Sequence, residues 1–171
     1  LAIERVRNKY FVRVDADDSL KSNYLTHIEK IINHNYDFIY SDYTTIDQFS
    51  NNLSNKKLPY FDQKEIFSRG DFLATGTLIK KDSFDFVSRY DTSIKNCGLE
   101  NYSLIIRLIK ANFVAKHLPL SLFNYRIHPT NMSKSRKNDI IEYGNSLTKN
   151  LLNKPYETNP NHPHGLIIWF N

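Results

Sequence analysis

Asp15, Asp17 and Asp18 stand together in the stretch Lys9-Tyr10-Phe11-Val12-Arg13-Val14-Asp15-Ala16-Asp17-Asp18-Ser19. Tyr10, Phe11, Val12 and Val14 are aromatic or β-branched and predict a mostly buried strand. The carboxylates follow where that strand should run out, and ligands of open α/β sheets gather outside the carboxyl ends of strands. Acidic groups packed this closely repel one another unless a cation or hydrogen-bond donors sit among them. Hard divalent ions suit such a cluster, because they readily join one or two carboxylates to phosphate oxygens. An acidic turn with a helix cap accounts for the same residues without a ligand.

Two further residues have types and positions that could do chemistry. Glu100 falls at the start of a helix expected over residues 102–110, after a glycine-containing loop. The helix dipole favours its ionised form there, which suits a base working near neutral pH. A first-turn Glu that only stabilises its helix fits equally. His128 follows an apolar strand and precedes Pro129. It is the one imidazole at an expected strand end, where a surface loop residue is the plainer alternative.

The elements that must position these groups follow from apolar spacing. Residues 22–33 carry Tyr24, Leu25, Ile28, Ile31 and Ile32 at helical spacing, predicting an amphipathic helix against a sheet. A short buried strand is expected at 38–40, leaving on a second acidic loop at Ser41-Asp42-Tyr43. Residues 47–57 read as an exposed turn or hairpin tip, and 58–72 as irregular. A strand over 74–79 contains Gly76, where a bulge or a close backbone approach is expected. A short helix at 81–87, a loop to 99, strands at 114–116 and 120–127 parted by Pro119, and a helix at 138–152 complete the pattern. The tail beyond, with Pro155, Pro160 and Pro163, should be largely non-helical. Strands alternating with helices argue for an α/β class.

At 171 residues the chain suggests one domain able to bury a core without staples. Lys and Arg number 23 against 18 Asp and Glu, a mild excess of +5 spread along the chain. Its densest cluster, Lys134, Arg136 and Lys137, suits a solvated helix start, phosphates or an anionic membrane surface. Aromatic residues do not interleave with a basic strip, so nucleic acid is not expected as a partner. The lone Cys97 excludes an internal disulfide and fits a reducing compartment. Walker, GxGxxG, zinc Cys/His and G-x-S-x-G patterns are missing.

Four motifs in order resemble the second half of a family-2, GT-A-fold inverting glycosyltransferase. Tyr10 to Asp18 is similar to that family's strand ending in a DxD-type motif. Ala74-Thr75-Gly76-Thr77-Leu78-Ile79-Lys80-Lys81 resembles its strand beside the donor sugar. Gly98-Leu99-Glu100-Asn101-Tyr102 through Leu108 is similar to its Glu-Asp helix. Leu118-Pro119-Leu120, Tyr125-Arg126-Ile127-His128 and Asn131-Met132-Ser133 resemble its closing strand and loop.

The resemblance implies a truncated, Rossmann-like mixed sheet flanked by helices over residues 1–133, followed by a C-terminal helix and tail over 134–171. It implies that Asp15, Asp17, Gly76 and Thr77 contact a nucleotide-sugar donor. Asp17, Asp18 and His128 would hold Mn²⁺ or Mg²⁺, and Glu100 would be the base that deprotonates a glycan or lipid-linked acceptor. Asn101 replaces the family's usual Asp, and an amide cannot take a proton at neutral pH. The family's first nucleotide-binding βαβ units would lie before residue 5, so a fragment of a longer protein is expected. A cytoplasmic enzyme, associated with the inner membrane face, follows by the same analogy. A non-catalytic remnant that binds glycan or pairs with a partner chain is the alternative.

Overall fold

The computed structural model describes residues 2–63, 76–93, 99–131 and 136–153. Its centre is β3 (Phe38–Ile46), nine residues that are all buried. β3 runs parallel to β6 (Ala115–Arg126) on one side. On its other side it pairs antiparallel with β5 (Leu78–Lys80) and, further along, with β4 (Asn52–Lys56). β1 (Tyr10–Val12) closes one edge against β5, and β2 (Ser19–Leu20) closes the other against β6, both antiparallel. The order β1-β5-β3-β6-β2, with β4 beside β3, is a mixed sheet.

Helices cover both faces. α1 (Tyr24–Glu29), followed by a 3₁₀ turn at Ile32–His34, packs Tyr24 and Ile28 with Ile39, Leu78, Leu118 and Leu122. The opposite face carries α2 (Lys81–Phe86), α3 (Glu100–Lys110) and α4 (Lys137–Leu152). Leu104, Ile105, Leu108 and Ile109 of α3 join Phe38, Tyr43 and Phe123 of the sheet and Ile140, Tyr143 and Leu147 of α4 in the main core. This is the expected α/β class, a mixed sheet flanked by helices, with core on both faces.

Several expectations shift in instructive ways. The strand at 38–40 does not end on an acidic loop, because β3 continues through Ser41, Asp42 and Tyr43. Asp42 can lie buried in a strand because its Oδ1 accepts from Leu58 N at 2.9 Å and contacts His117 Nε2 at 2.8 Å. A buried carboxylate so partnered no longer demands solvent. The strands on either side of Pro119 are one strand, β6. Pairing to β3 jumps from Leu118 opposite Ser41 to Ser121 opposite Asp42, so Pro119 and Leu120 bulge outward and are exposed. Proline is tolerated there because the bulge asks nothing of its missing N–H.

The helix expected at 22–33 breaks after Glu29, and Leu25 stays 66% exposed rather than joining the core. β1 is buried only at Tyr10, as befits an edge strand. The short helix at 81–87, the helix at 102–110 and the final helix form within a few residues of the expected bounds, and the hairpin tip lies between β3 and β4. The readings for 64–72, Ala74, Thr75, Cys97, Gly98, Met132, Ser133, Lys134 and the proline-rich tail fall outside the described residues.

Candidate functional site

The acidic turn is built by its own backbone. After β1 the chain folds so that Asp18 N donates to Asp15 O at 3.1 Å, and β2 then starts at Ser19. β2 pairs with the end of β6, with Ser19 opposite Asn124, which brings the turn beside the loop after Arg126. There the structure joins Asp17 and His128: Asp17 Oδ2 lies 3.0 Å from His128 Nε2. The other ring nitrogen, Nδ1, is 2.9 Å from Thr130 Oγ1, and Asn131 Oδ1 accepts from the His128 backbone N–H. With its proton on Nε2 the ring donates to Asp17 and accepts from the Thr130 hydroxyl; with the proton on Nδ1 it donates to Thr130 and turns the Nε2 lone pair toward the carboxylate oxygen. A shared cation or proton stabilises such a pair.

Asp18 points elsewhere. Its Oδ1 accepts from Arg126 N at 2.8 Å, while Oδ2 is buried without a hydrogen-bond partner among the described residues. Burial pushes this carboxyl up to about 7, with the charges of Asp17 and Asp15 adding to the effect and the Arg126 amide opposing it.

Arg13, at the end of β1, organises a second group. Its Nε donates to Asp15 Oδ1 and its Nη1 to Glu100 Oε1, each at 2.9 Å. A longer contact of 3.5 Å reaches Asn101 Oδ1, which also accepts from Tyr90 OH at 3.1 Å. The guanidinium lies 5.5 Å from the Tyr90 ring centroid, a cation–π distance. Burial works against the Arg13 charge, but Asp15, Tyr90 and Glu100 outweigh it and hold the guanidinium firmly protonated. Glu100 opens α3 as expected and keeps Oε2 out of any hydrogen bond among the described residues, with its side chain 32% exposed. An oriented carboxylate with one uncommitted oxygen is equipped to take a proton.

Gly76 has a positive φ of +86°, and a Cβ there would sit 2.8 Å from Phe123 Cδ1. Its N–H donates to Arg13 O, and its carbonyl accepts from Tyr24 OH at 3.0 Å. Glycine here lets the backbone pass close to Phe123 while clasping the residue that holds Asp15 and Glu100. Thr77 beside it is buried.

Arg13 and Arg126 are organising residues that motif reading did not single out. Arg126 Nε donates to Asp17 O at 2.8 Å, and its Nη1 donates to Asp47 O at 2.7 Å and Ser50 Oγ at 3.1 Å. It thus ties the acidic turn to the β3–β4 hairpin. The available signal was a lone arginine embedded in an otherwise apolar or aromatic strand, a position that a charge occupies when paired.

Solved structures carry the same fold. One is S. aureus TarS 1-349 in complex with UDP-GlcNAc, with a TM-score of 0.60 and 12% identity over 89% of this chain and 45% of that one. The chain has a glycosyltransferase-like fold. S. aureus TarS 1-349 in complex with UDP matches with a TM-score of 0.56 at 12% identity, over 89% of this chain and 43% of that one. A longer S. aureus TarS chain gives 0.55 at 12% identity, over 89% of this chain and 26% of its own length. The chain therefore spans less than half the length of these glycosyltransferases. No model of a known protein family matches the chain, and no curated protein matches it in sequence.

Proposed function

We propose that this chain forms the C-terminal half of a family-2-type inverting glycosyltransferase that moves a hexosyl or N-acetylhexosaminyl unit from a nucleotide sugar to a glycan or lipid-linked acceptor. The observation that carries this reading is the approach of Asp17 to His128 at 3.0 Å on a glycosyltransferase-like fold. TarS structures hold UDP-GlcNAc and UDP, which makes UDP-GlcNAc the first donor to test. Work at the cytoplasmic face of a membrane is part of the proposal, with peripheral attachment. Among the described residues no helix is long and apolar enough to cross a membrane.

Asp17 and His128 fit a divalent ion as a pair of ligands. Their donor atoms are 3.0 Å apart, close to the spacing of adjacent vertices around an octahedral ion with bonds of about 2.1 Å. Among the described residues no group of three His, Cys, Asp or Glu side chains is arranged to hold a metal. Two protein ligands, with diphosphate oxygens and water at the other positions, is a common arrangement for Mg²⁺, and Mn²⁺ has the same preference for oxygen. When bound, the ion supplies Lewis acidity that offsets charge on the departing nucleoside diphosphate.

The chain's own residues supply the rest. Arg13 fixes Asp15 on the donor side and Glu100 on the acceptor side within one hydrogen-bonded group. Glu100 Oε2 takes the acceptor hydroxyl proton as the hydroxyl oxygen bonds to the anomeric carbon. The bond from that carbon to the diphosphate oxygen breaks with its electron pair, on the opposite face, so the configuration inverts. Thr130 and Asn131 set the His128 ring, and Arg126 sets the turn that carries Asp17. Incubating the protein with a panel of nucleotide sugars and Mn²⁺ tests this reading. Donor turnover that Glu100→Gln removes supports it, and no turnover with any donor overturns catalysis by this chain. Asn101 favours a second reading, a non-catalytic glycan-binding module. Its amide is built into the Arg13 and Tyr90 contacts where a carboxylate would serve a transferase. Saturable glycan binding without turnover supports that module.

A further inference from the structure

A cleft of about 680 Å³ opens between α3, α4 and the loop at 88–93, outside the Asp17–His128 and Arg13–Glu100 groups. Its volume suits a small ligand, and its walls are mixed, with Leu147 and Leu151 supplying apolar surface among polar groups. Ser88, Thr92, Ser93, Ser103, Ser146 and Asn150 line it, together with the two phenols Tyr90 and Tyr143. Hydroxyl and amide groups beside aromatic rings match the alternating polar edges and C–H faces of a sugar.

Arg107 adds a charge to this wall. Its Nε donates to Ser103 O at 3.2 Å and its Nη1 donates to Val87 O, so its hydrogen bonds go to neutral carbonyls. Nη2 is buried without a partner, and no carboxylate lies within ion-pair distance of the guanidinium among the described residues. The other charged group of the cleft, Asp91, spends Oδ1 on the Ser93 N–H and Oγ. Asp91 is near enough to favour the Arg107 charge without pairing with it. A half-buried guanidinium hydrogen-bonded only to neutral carbonyls is stabilised further by a directly bound anionic oxygen.

Tyr90 links the cleft to the residues at the head of α3. Glu100, Ser103 and Arg107 recur at helical spacing of three and four residues, which sets them along one side of that helix. Tyr90 belongs to both places, lining the cleft and donating to Asn101.

We infer that this cleft binds an acidic sugar unit, a polyhydroxylated ligand with one phosphate or carboxylate held by Arg107. Taking that unit as part of the acceptor rests on the glycosyl-transfer reading; binding in the cleft does not.

Calorimetric titration of the protein with glucose, glucose 6-phosphate, glucuronate and inorganic phosphate tests the inference. At least one acidic sugar should bind about tenfold more tightly than glucose and inorganic phosphate, and whichever does so identifies the anion. Arg107→Gln should remove the preference over glucose. Ser146→Phe, on the exposed side of α4, should abolish binding while leaving the thermal midpoint unchanged, which keeps the test valid if the Arg107 variant misfolds. Equal binding of glucose and both acidic sugars, no binding of any sugar, or unchanged affinity in Ser146→Phe overturns the inference. Parallel titration with UDP separates the two readings. UDP binding without acidic-sugar binding overturns the cleft alone, and acidic-sugar binding without UDP binding upholds the cleft and counts against the transferase.

Discussion

His128 Nε2 meets Asp17 Oδ2 at 3.0 Å across 111 residues of chain. The contact exists because β2 pairs antiparallel with the last residues of β6, which carries the loop after one strand onto the turn after another. Arg126 reinforces it from the backbone side, donating its amide to Asp18 and its guanidinium to the Asp17 carbonyl.

Arg13→Lys should cost about 1–3 kcal/mol of stability and lower any donor turnover. Lysine keeps the charge but cannot reach Asp15 and Glu100 together from a planar fork. Urea unfolding checks the stability, and kcat against KM checks the site: Glu100 misplacement should fall mainly on kcat.

Gly76→Ala should destabilise the protein by about 1–3 kcal/mol. The new Cβ would adopt a positive φ and press on the Phe123 ring at 2.8 Å. Thermal unfolding of the single variant and of the double variant with Phe123→Leu checks this. The second change should recover the part of the loss due to the clash and leave the part due to φ.

The pH dependence of stability should carry the mark of Asp18. Its carboxyl titrates near 7 in the folded protein against an ordinary 3.8, mainly because it is buried. Between those values the folded chain holds a proton that the unfolded chain has released, so stability falls as pH rises through the window and levels off above it. Asp18→Asn keeps an acceptor for the Arg126 amide and has no proton to lose. In buffer free of divalent ions, the variant should match the wild type near pH 4 and be the more stable of the two at pH 8. Urea midpoints across that range check the prediction; parallel profiles for the two proteins would contradict it.

How far the sequence could be read differs from element to element. α3 was legible because Leu104, Ile105, Leu108 and Ile109 repeat at helical spacing, and all four are buried. The length of β3 was not, since Asp42 looks like the end of a strand until its partners His117 and Leu58, distant in sequence, are known. Pro119 misled in the same way, because a bulge depends on the neighbouring strand rather than on local propensity. At the site, spacing picked out Asp15, Asp17, Asp18, Glu100 and His128 as types. It could not show that Asp17 faces His128 while Asp18 turns to the Arg126 amide, or that Arg13 joins Asp15 to Glu100. Those are tertiary relationships, set by which strand ends the sheet brings together.

Histidine-selective NMR during a Mn²⁺ and UDP titration reads out whether Asp17 and His128 form a metal site for a nucleoside diphosphate. The chain has six histidines, and paramagnetic Mn²⁺ broadens ring signals close to where it binds. The expected result is loss of the His128 signal at low Mn²⁺, sharpened in its selectivity by UDP and abolished in Asp17→Asn. Equal broadening of all six rings, or selective His128 broadening that persists in Asp17→Asn, would contradict such a site.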